Sequence, residues 1–417
     1  MPSSTPASTT SEPQAAGGRS QVALVWDQFC QDRLAVIGLV LVGLLFLAAI
    51  AAPLIANDKP LLLVDRGHWS SPALRGLFQP PTGQELVLAR LFDLTLCWGL
   101  SALLLGLPLA GLLRLGQTSA RTRRRLRRGG GVLLALAWLV PFVSYVSPLD
   151  KTEYRDRVRQ LRAAGRGWAV CAPVPYDPIE QLADSGPLRP PSRAHLMGTD
   201  SVSRDVCARL LYGARVSLSV GFVGVALYIA IGVVLGAIAA YYGRWVDFVL
   251  SRCIEIVMCF PTFLLILTVV AFLDQRSIFN IMIVIGLTGW TGVARLVRGE
   301  VLRQKEMDYV SAARALGLSA GRIIFRHVLP NALAPVLVSA TFGVAGAILT
   351  ESSLSFLGLG VQMPTPSWGQ LLNEARDGVG TYWWLTVWPG FLIFFAVTVY
   401  NLVGEGLRDA LDPRLRT

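Results

Sequence analysis

The chain has 417 residues, 53% of them hydrophobic and 16% charged, with a mean hydropathy of +0.52 and a formal net charge of +11. That balance excludes a soluble globular domain, because several apolar runs reach the roughly 20 residues that cross a bilayer as helix. Six scattered cysteines with no C-x-x-C pair and three distant histidines exclude a disulfide framework and a zinc site, and the surplus of Lys and Arg is what the cytoplasmic loops of a membrane protein retain.

Residues 1–30 begin rich in Ser, Thr, Pro, Ala and Gly and are expected to form a disordered cytoplasmic tail. The first apolar run, Leu34–Ile55 within segment 31–56, is too long for the core of a cleaved leader and reads as an uncleaved anchor. Segment 57–194 contains two further expected spans, Leu86–Leu115 and Gly131–Pro148, with six arginines between them in Arg121–Arg128. A nucleic-acid patch is the rival reading of that run. A short loop clamped between apolar helices fits positive-inside bias better and places it in the cytoplasm. Leu149–Pro191 then reads as a polar, proline-bearing extracytoplasmic loop.

At His195 the chain changes character, with HLMGTDSVSRDVCARLLYGARVSLSVG running to Gly221. Arg204 and Arg209, with Asp205 and the apolar Val206, Leu210 and Leu211, predict a basic amphipathic turn lying at the membrane interface. Asp200 and Asp205 are read as capping and surface-pairing groups, with substrate contact as the alternative. Five spans follow: Ala214–Tyr242, Phe248–Leu273, Ile278–Val297, Asn331–Phe356 and Trp383–Val403. The first carries Gly224, Gly232, Gly236 and Ala240 in one helical row, and Asn331–Phe356 repeats the device with Ser339, Gly343 and Ala347, so close helix approach is expected. Pro261 is expected to kink its span. Asp247, Arg252 and Glu255 are expected to pair among themselves, whereas Glu351, with Ser352 and Ser355, is the candidate for lining an aqueous path or gate. Beyond Phe356, Gly358, Gly360, Pro364 and Pro366 predict an irregular turn, and Trp368 an interfacial anchor.

The most informative stretch is Asp308–Pro335, DYVSAARALGLSAGRIIFRHVLPNALAP, a polar, arginine-bearing segment between two apolar spans. Ser311–Leu316 is good helix sequence, and Ala312 and Ala313 are small enough for another protein to approach closely. Gly317 permits a left-handed backbone, Ser319 can cap a second short helix, Ala320–Val328, and Pro330 is expected to end it. The whole predicts a knob of two short helices on the membrane surface.

The spacing of Ala312, Ala313, Gly317, Leu329 and Pro330 resembles the cytoplasmic coupling loop of ABC importer permeases, with its Glu-Ala-Ala triplet, glycine and terminal Leu-Pro. Ser311 stands where glutamate is usual and His327 where isoleucine is usual. Tyr309–Arg314, the Gly-Thr-Asp and Leu-Tyr-Gly-Ala-Arg runs after His195, and ESSLSFLGLG with PTPSWG after Glu351 are similar to the C-type subunit of the dipeptide, oligopeptide and nickel branch. Ser203 replaces that branch's glycine, and Met363 a common proline.

The resemblance covers residues 195–412 strongly. It implies an all-α polytopic membrane protein with the type I ABC importer transmembrane fold and about eight helices, the extra pair lying in 57–194. It also implies a bacterial inner-membrane location with both termini, including the tail 413–417, in the cytoplasm. Loop 308–330 would meet the ATPase through Asp308, Tyr309, Ser311, Ala312, Ala313, Gly317, Arg322, Arg326, His327, Leu329 and Pro330. Implied partners are a homologous second permease, cytoplasmic ABC ATPases and an extracytoplasmic substrate-binding protein, besides lipid, with no nucleic acid. With no G-x-x-x-x-G-K-[ST] loop, the chain binds no ATP or metal itself and carries no catalytic residue; ATP is used by the partner subunits. Peptides are the expected cargo, with nickel or another peptide-like solute as the alternative. A secondary transporter is a weaker rival, since inverted repeats are not evident and acidic residues cluster near span ends. A membrane scaffold that transports nothing is a further rival, favoured by the arginine hairpin and the long insert alone.

Overall fold

Within hydrocarbon, backbone amides can be satisfied only by one another, so long apolar runs are held as helix. The computed structural model describes residues 21–65, 67–76, 91–96, 154–165, 167–182, 186–273, 277–378 and 380–412. In chain order the elements are α1 (Gln21–Phe29), α2 (Arg33–Ile50), β1 (Leu62–Asp65), β2 (His68–Ser70), α3 (Tyr154–Ala163), β3 (Gly167–Val170), α4 (Val206–Tyr242), α5 (Arg244–Met258), α6 (Thr262–Ala271), α7 (Ile278–Gln304), α8 (Asp308–Ala315), α9 (Ala334–Phe356), α10 (Trp368–Glu374) and α11 (Trp383–Leu411), joined by shorter turns. Among the described residues α2, α4, α7, α9 and α11 are long and apolar enough to cross a membrane, and α5 with α6 makes a sixth crossing if that bent pair is one span. The expected spans Leu86–Leu115 and Gly131–Pro148, and Arg121–Arg128, lie outside the described residues apart from a helical stretch at 91–96.

The centre of the bundle is the seam between α4 and α7, and the glycine row explains it. A Cβ at Gly232 would stand 2.7 Å from Val293 Cβ and 2.8 Å from the Trp290 carbonyl, and one at Gly236 would collide with the Ala294 carbonyl. Backbones this close leave room for nothing larger than hydrogen. On α9, Gly343 makes space for the Tyr228 hydroxyl and Ala347 is buried against the same core. Gly38 of α2 meets Val399, Leu402 and Val403 of α11.

Several expectations are corrected. Helix begins at Gln21, inside the stretch expected to be disordered, because Phe29 packs with Ala35 and Ala410 beneath the end of α11. The region read as a polar extracytoplasmic loop is not simply loop: β1 pairs antiparallel with β2 and with β3, in the order β2-β1-β3, and α3 packs Tyr154 and Val158 against Leu63. The span holding Pro261 breaks rather than kinks, α5 and α6 meeting at 80°. Asp247 is not paired with Arg252, the expected partner on α5. It is bonded by the Arg298 guanidinium of α7, Nη2 lying 2.7 Å away, while Arg252 pairs with Glu255. Trp368, expected at the interface, is wholly buried, its indole Nε1 donating to the Leu210 carbonyl at 3.1 Å in a recess opened by Gly213.

Candidate functional site

The loop after α7 is a knob built on one helix terminus. At the end of α8 the Gly317 N–H donates to the Arg314 carbonyl (2.9 Å) and the Leu318 N–H to the Ala313 carbonyl (3.2 Å), with Gly317 at φ +72°. This pair of bonds is the Schellman closure, and it needs the left-handed residue that glycine supplies without strain. Tyr309 fixes the knob to its roots: its hydroxyl donates to Gln304 Oε1 at 2.7 Å and accepts from Asn331 Nδ2 at 3.4 Å.

One helical step of about 100° separates the two alanines, so they present different faces of α8. Ala313 is 5% exposed and packs with Val301, Val310 and Ile323 in this chain's own core, whereas Ser311, Ala312 and Gly317 are exposed. The outer surface also carries Leu316, 81% exposed, and Phe325, 62% exposed, neither singled out from sequence. Asp308, Tyr309, Arg322, Arg326 and Pro330 are exposed, and His327 and Leu329 half-buried. Ser319 stands at the start of the second helix without making a side-chain cap. Nor does Pro330 end that helix. Ile324–Val328 is a wider π turn in which the Leu329 N–H reaches back to the Ile324 carbonyl, and the proline falls in the first turn of the next segment, where a missing N–H costs nothing.

At the other end of α9, Glu351 is completely buried. Ser355 Oγ donates to its Oε1 at 2.8 Å, and Ser217 Oγ from α4 donates to Oε2 at 3.1 Å, with Ser352 Oγ at 3.4 Å. Ser217 Oγ in turn accepts the Trp368 N–H of α10 at 3.4 Å. Enclosed by hydroxyls, the carboxylate joins three helices in this conformation and lines no open space.

The least expected feature is a buried ionic cluster above it. Asp200 Oδ2 takes Arg204 Nε at 2.6 Å and lies 3.1 Å from Arg209 Nη1; Glu374 Oε1 takes Arg204 Nη2 and Arg209 Nη2, each at 3.1 Å. Gln370 accepts from Arg209, and all four charged side chains are nearly inaccessible. Two cations and two anions at this density offset one another's desolvation. The turn expected at the interface is thus interior. Asp205 caps α4 by accepting the Ala208 N–H at 2.9 Å and contacts His195 Nδ1 at 2.8 Å; burial pushes its carboxyl up against those hydrogen bonds. Gly198 is required here, because a Cβ would meet the Arg189 carbonyl and the Trp384 ring at 2.7–2.8 Å. Arg215, also from this motif, closes α2: Nε donates to the Ala49 carbonyl at 2.7 Å and Nη2 to Ile50 at 3.2 Å, satisfying helix-end carbonyls that have no other partner in the helix. An arginine amid an apolar run was the sequence signal for this contact.

A family model described as "Binding-protein-dependent transport system inner membrane component" matches residues 232–417, and one described as "N-terminal TM domain of oligopeptide transport permease C" matches residues 20–81. The chain is 45% identical over 233 residues to a dipeptide transport system permease of Alkalihalophilus pseudofirmus, covering 56% of this chain and 76% of that protein. It is 39% identical to a glutathione transport system permease of Pectobacterium atrosepticum (58% and 81% covered) and 39% identical to an oligopeptide transport system permease of Bacillus subtilis (55% and 74%). In each case the match takes a smaller share of this chain than of the relative, so this chain carries more sequence than they do. Among solved structures, the inward-facing methionine ABC transporter MetNI covers 48% of this chain and 96% of its own with a TM-score of 0.38 and 16% identity, too distant a likeness to bear on the fold.

Proposed function

This chain belongs to the inner-membrane permeases of binding-protein-dependent ABC importers, as a C-type subunit, and from that membership we propose that its cargo is a peptide. It is a multi-pass transport subunit and not an enzyme. The proposal continues to its assembly: a homologous second permease completes the path, two cytoplasmic ATPases hydrolyse ATP, and an extracytoplasmic binding protein delivers the solute. Both termini and the loop 308–330 face the cytoplasm, as does Arg121–Arg128.

The observation that carries this reading is the knob of α8, rigidly closed at Gly317 yet presenting Leu316 and Phe325 to the outside. Apolar side chains this exposed on a polar membrane-surface loop call for a protein partner. Ala312, Ser311, Gly317, Arg322 and Arg326 share that exposed surface and form the ATPase contact, while Ala313 supports it from within. Movement of the knob tilts α7 and α9, and Glu351 with Ser352 and Ser355 holds the gate end by joining α4, α9 and α10.

The test is reconstitution of the four-subunit complex in vesicles. ATP hydrolysis should rise when the loaded binding protein is added, and labelled di- and oligopeptides should accumulate. Uptake of nickel chelates without peptides would replace the cargo and keep the permease.

A further inference from the structure

We propose that the cleft at the α4–α5 turn is a site for an anionic phospholipid, its phosphate held by Arg244 and its acyl chains lying along Phe248. The cleft has a volume of about 810 Å³ and is lined by Tyr242, Gly243, Arg244, Trp245, Val246 and Phe248. Trp245 is 77% exposed and stands edge-on to the Phe248 ring, with centroids 5.8 Å apart. Tyrosine and tryptophan favour the level where hydrocarbon gives way to headgroups. Here they flank the point where the 37-residue helix α4 ends and α5 begins.

Charge selects an anionic headgroup over bulk zwitterionic lipid. Asp247, the acid in the first turn of α5, is taken by Arg298. Arg244 is exposed and makes no ion pair among the described residues, so its charge stands uncompensated among the aromatic rings. A phosphate matches the planar guanidinium in both charge and geometry. The backbone points the same way: Arg244 sits at φ +47°, directly after Gly243 at φ +63°. Glycine would hold that left-handed conformation without strain, and strain of this kind persists where the side chain has a use. The turn also lies at the knob's end of the bundle. Lys305 Nζ donates to the Ala240 carbonyl at 3.4 Å, and the Arg314 guanidinium of α8 is 5.9 Å from the centre of the Tyr241 ring. In the orientation proposed above, on which the choice of leaflet rests, this is the cytoplasmic side, whose surface is rich in anionic lipid. A lipid seated there braces the root of the knob.

Quenching by brominated lipid reads the occupant. The full chain in phosphatidylcholine bilayers receives brominated phosphatidylglycerol or brominated phosphatidylcholine at equal mole fraction. The anionic lipid should quench tryptophan fluorescence more than the zwitterionic one, and Trp245→Phe should remove the excess. Arg244→Gly deletes the cation while relieving the backbone. It should keep or raise the thermal unfolding midpoint yet weaken the preference for the anionic lipid about fivefold, the effect of one basic side chain at an anionic surface. Arg244→Gln, which keeps a side chain at that φ, should weaken it equally. Equal quenching by the two lipids, or a preference unchanged in both variants, overturns the proposal. So does displacement of the brominated lipid by inorganic phosphate, which would make this a site for a free anion. Loss of the excess quenching when ATPase subunits are added would make the cleft a protein contact and overturn it as well. Labelling of Arg244→Cys, in otherwise cysteine-free protein, by an impermeant thiol reagent outside intact cells scores the orientation separately, so a wrong leaflet is distinguished from an absent site.

Discussion

The two ends of this molecule are held together in opposite ways. At one end Asp200, Arg204, Arg209 and Glu374 are buried and mutually bonded, tying the lead-in before α4 to α10. At the other end the knob of α8 rests on Tyr309, Ala313 and a backbone closure, with Leu316 and Phe325 exposed. One end spends its polar groups on itself; the other leaves its surface for something else. The difference separates residues whose loss should unfold the protein from residues whose loss, in the proposed assembly, should uncouple it.

The largest effect should come from breaking the ionic end. Arg209→Ala leaves Asp200 and Glu374 short of a cation in a dry site and should cost about 3–5 kcal/mol, read as a fall in the thermal unfolding midpoint of detergent-solubilised protein. An unchanged midpoint would mean that water reaches the cluster. The alanine pair sharpens the contrast at the other end. Ala313→Asp buries an unpaired carboxylate and should deplete the protein from the membrane. Leu316→Asp and Phe325→Asp should shift stability by no more than about 0.5 kcal/mol, as exposed positions do, yet abolish peptide uptake. Equal membrane levels for all three variants would dissolve the inside–outside division of the knob.

A smaller gain is expected at Ser203, which sits at φ +65° where the C-type pattern has glycine. Ser203→Gly should raise stability by up to about 1 kcal/mol by removing left-handed strain. The smallest effect concerns Asp177, whose carboxyl burial raises from 3.8 to about 6 against the Ile179 N–H it accepts. The folded protein binds this proton more tightly than the unfolded chain, so stability should fall as pH climbs from 3.8 to about 6 and stay flat above. Asp177→Asn should flatten that slope and stabilise the protein at pH 7. A steeper slope in the variant would reverse the sign.

What was legible in the sequence was whatever a local pattern encodes. Spans follow from apolar length, the α4–α7 seam from glycines on one helical row, an interruption of its span, though not its size, from Pro261, and the closure of the knob from Gly317. Pairings between distant residues were not legible. Asp200 and Glu374 are separated by most of the permease core, and β1 meets β3 across a hundred residues, so no periodicity announces either. The inward turn of Ala313 is a question of which side of α8 the core lies on, and two adjacent alanines do not say. Pro330 misled because a proline stops a regular helix but not one that has just widened by a residue.

That widened turn has a mechanical consequence. Because the chain stays helical from Ala320 through Leu329–Ala332 into α9, with one turn residue at Leu333, the knob and Glu351 are near opposite ends of almost one strut. At 1.5 Å per residue the strut from Pro330 to Glu351 is about 32 Å long. A rotation of about 10° at its foot therefore carries its head sideways by about 5 Å, roughly one full turn of helix. Such a swing exceeds the reach of any serine hydroxyl now on Glu351, so a modest tilt imposed at the knob is geometrically sufficient to part α9 from α4 at the other end of the strut.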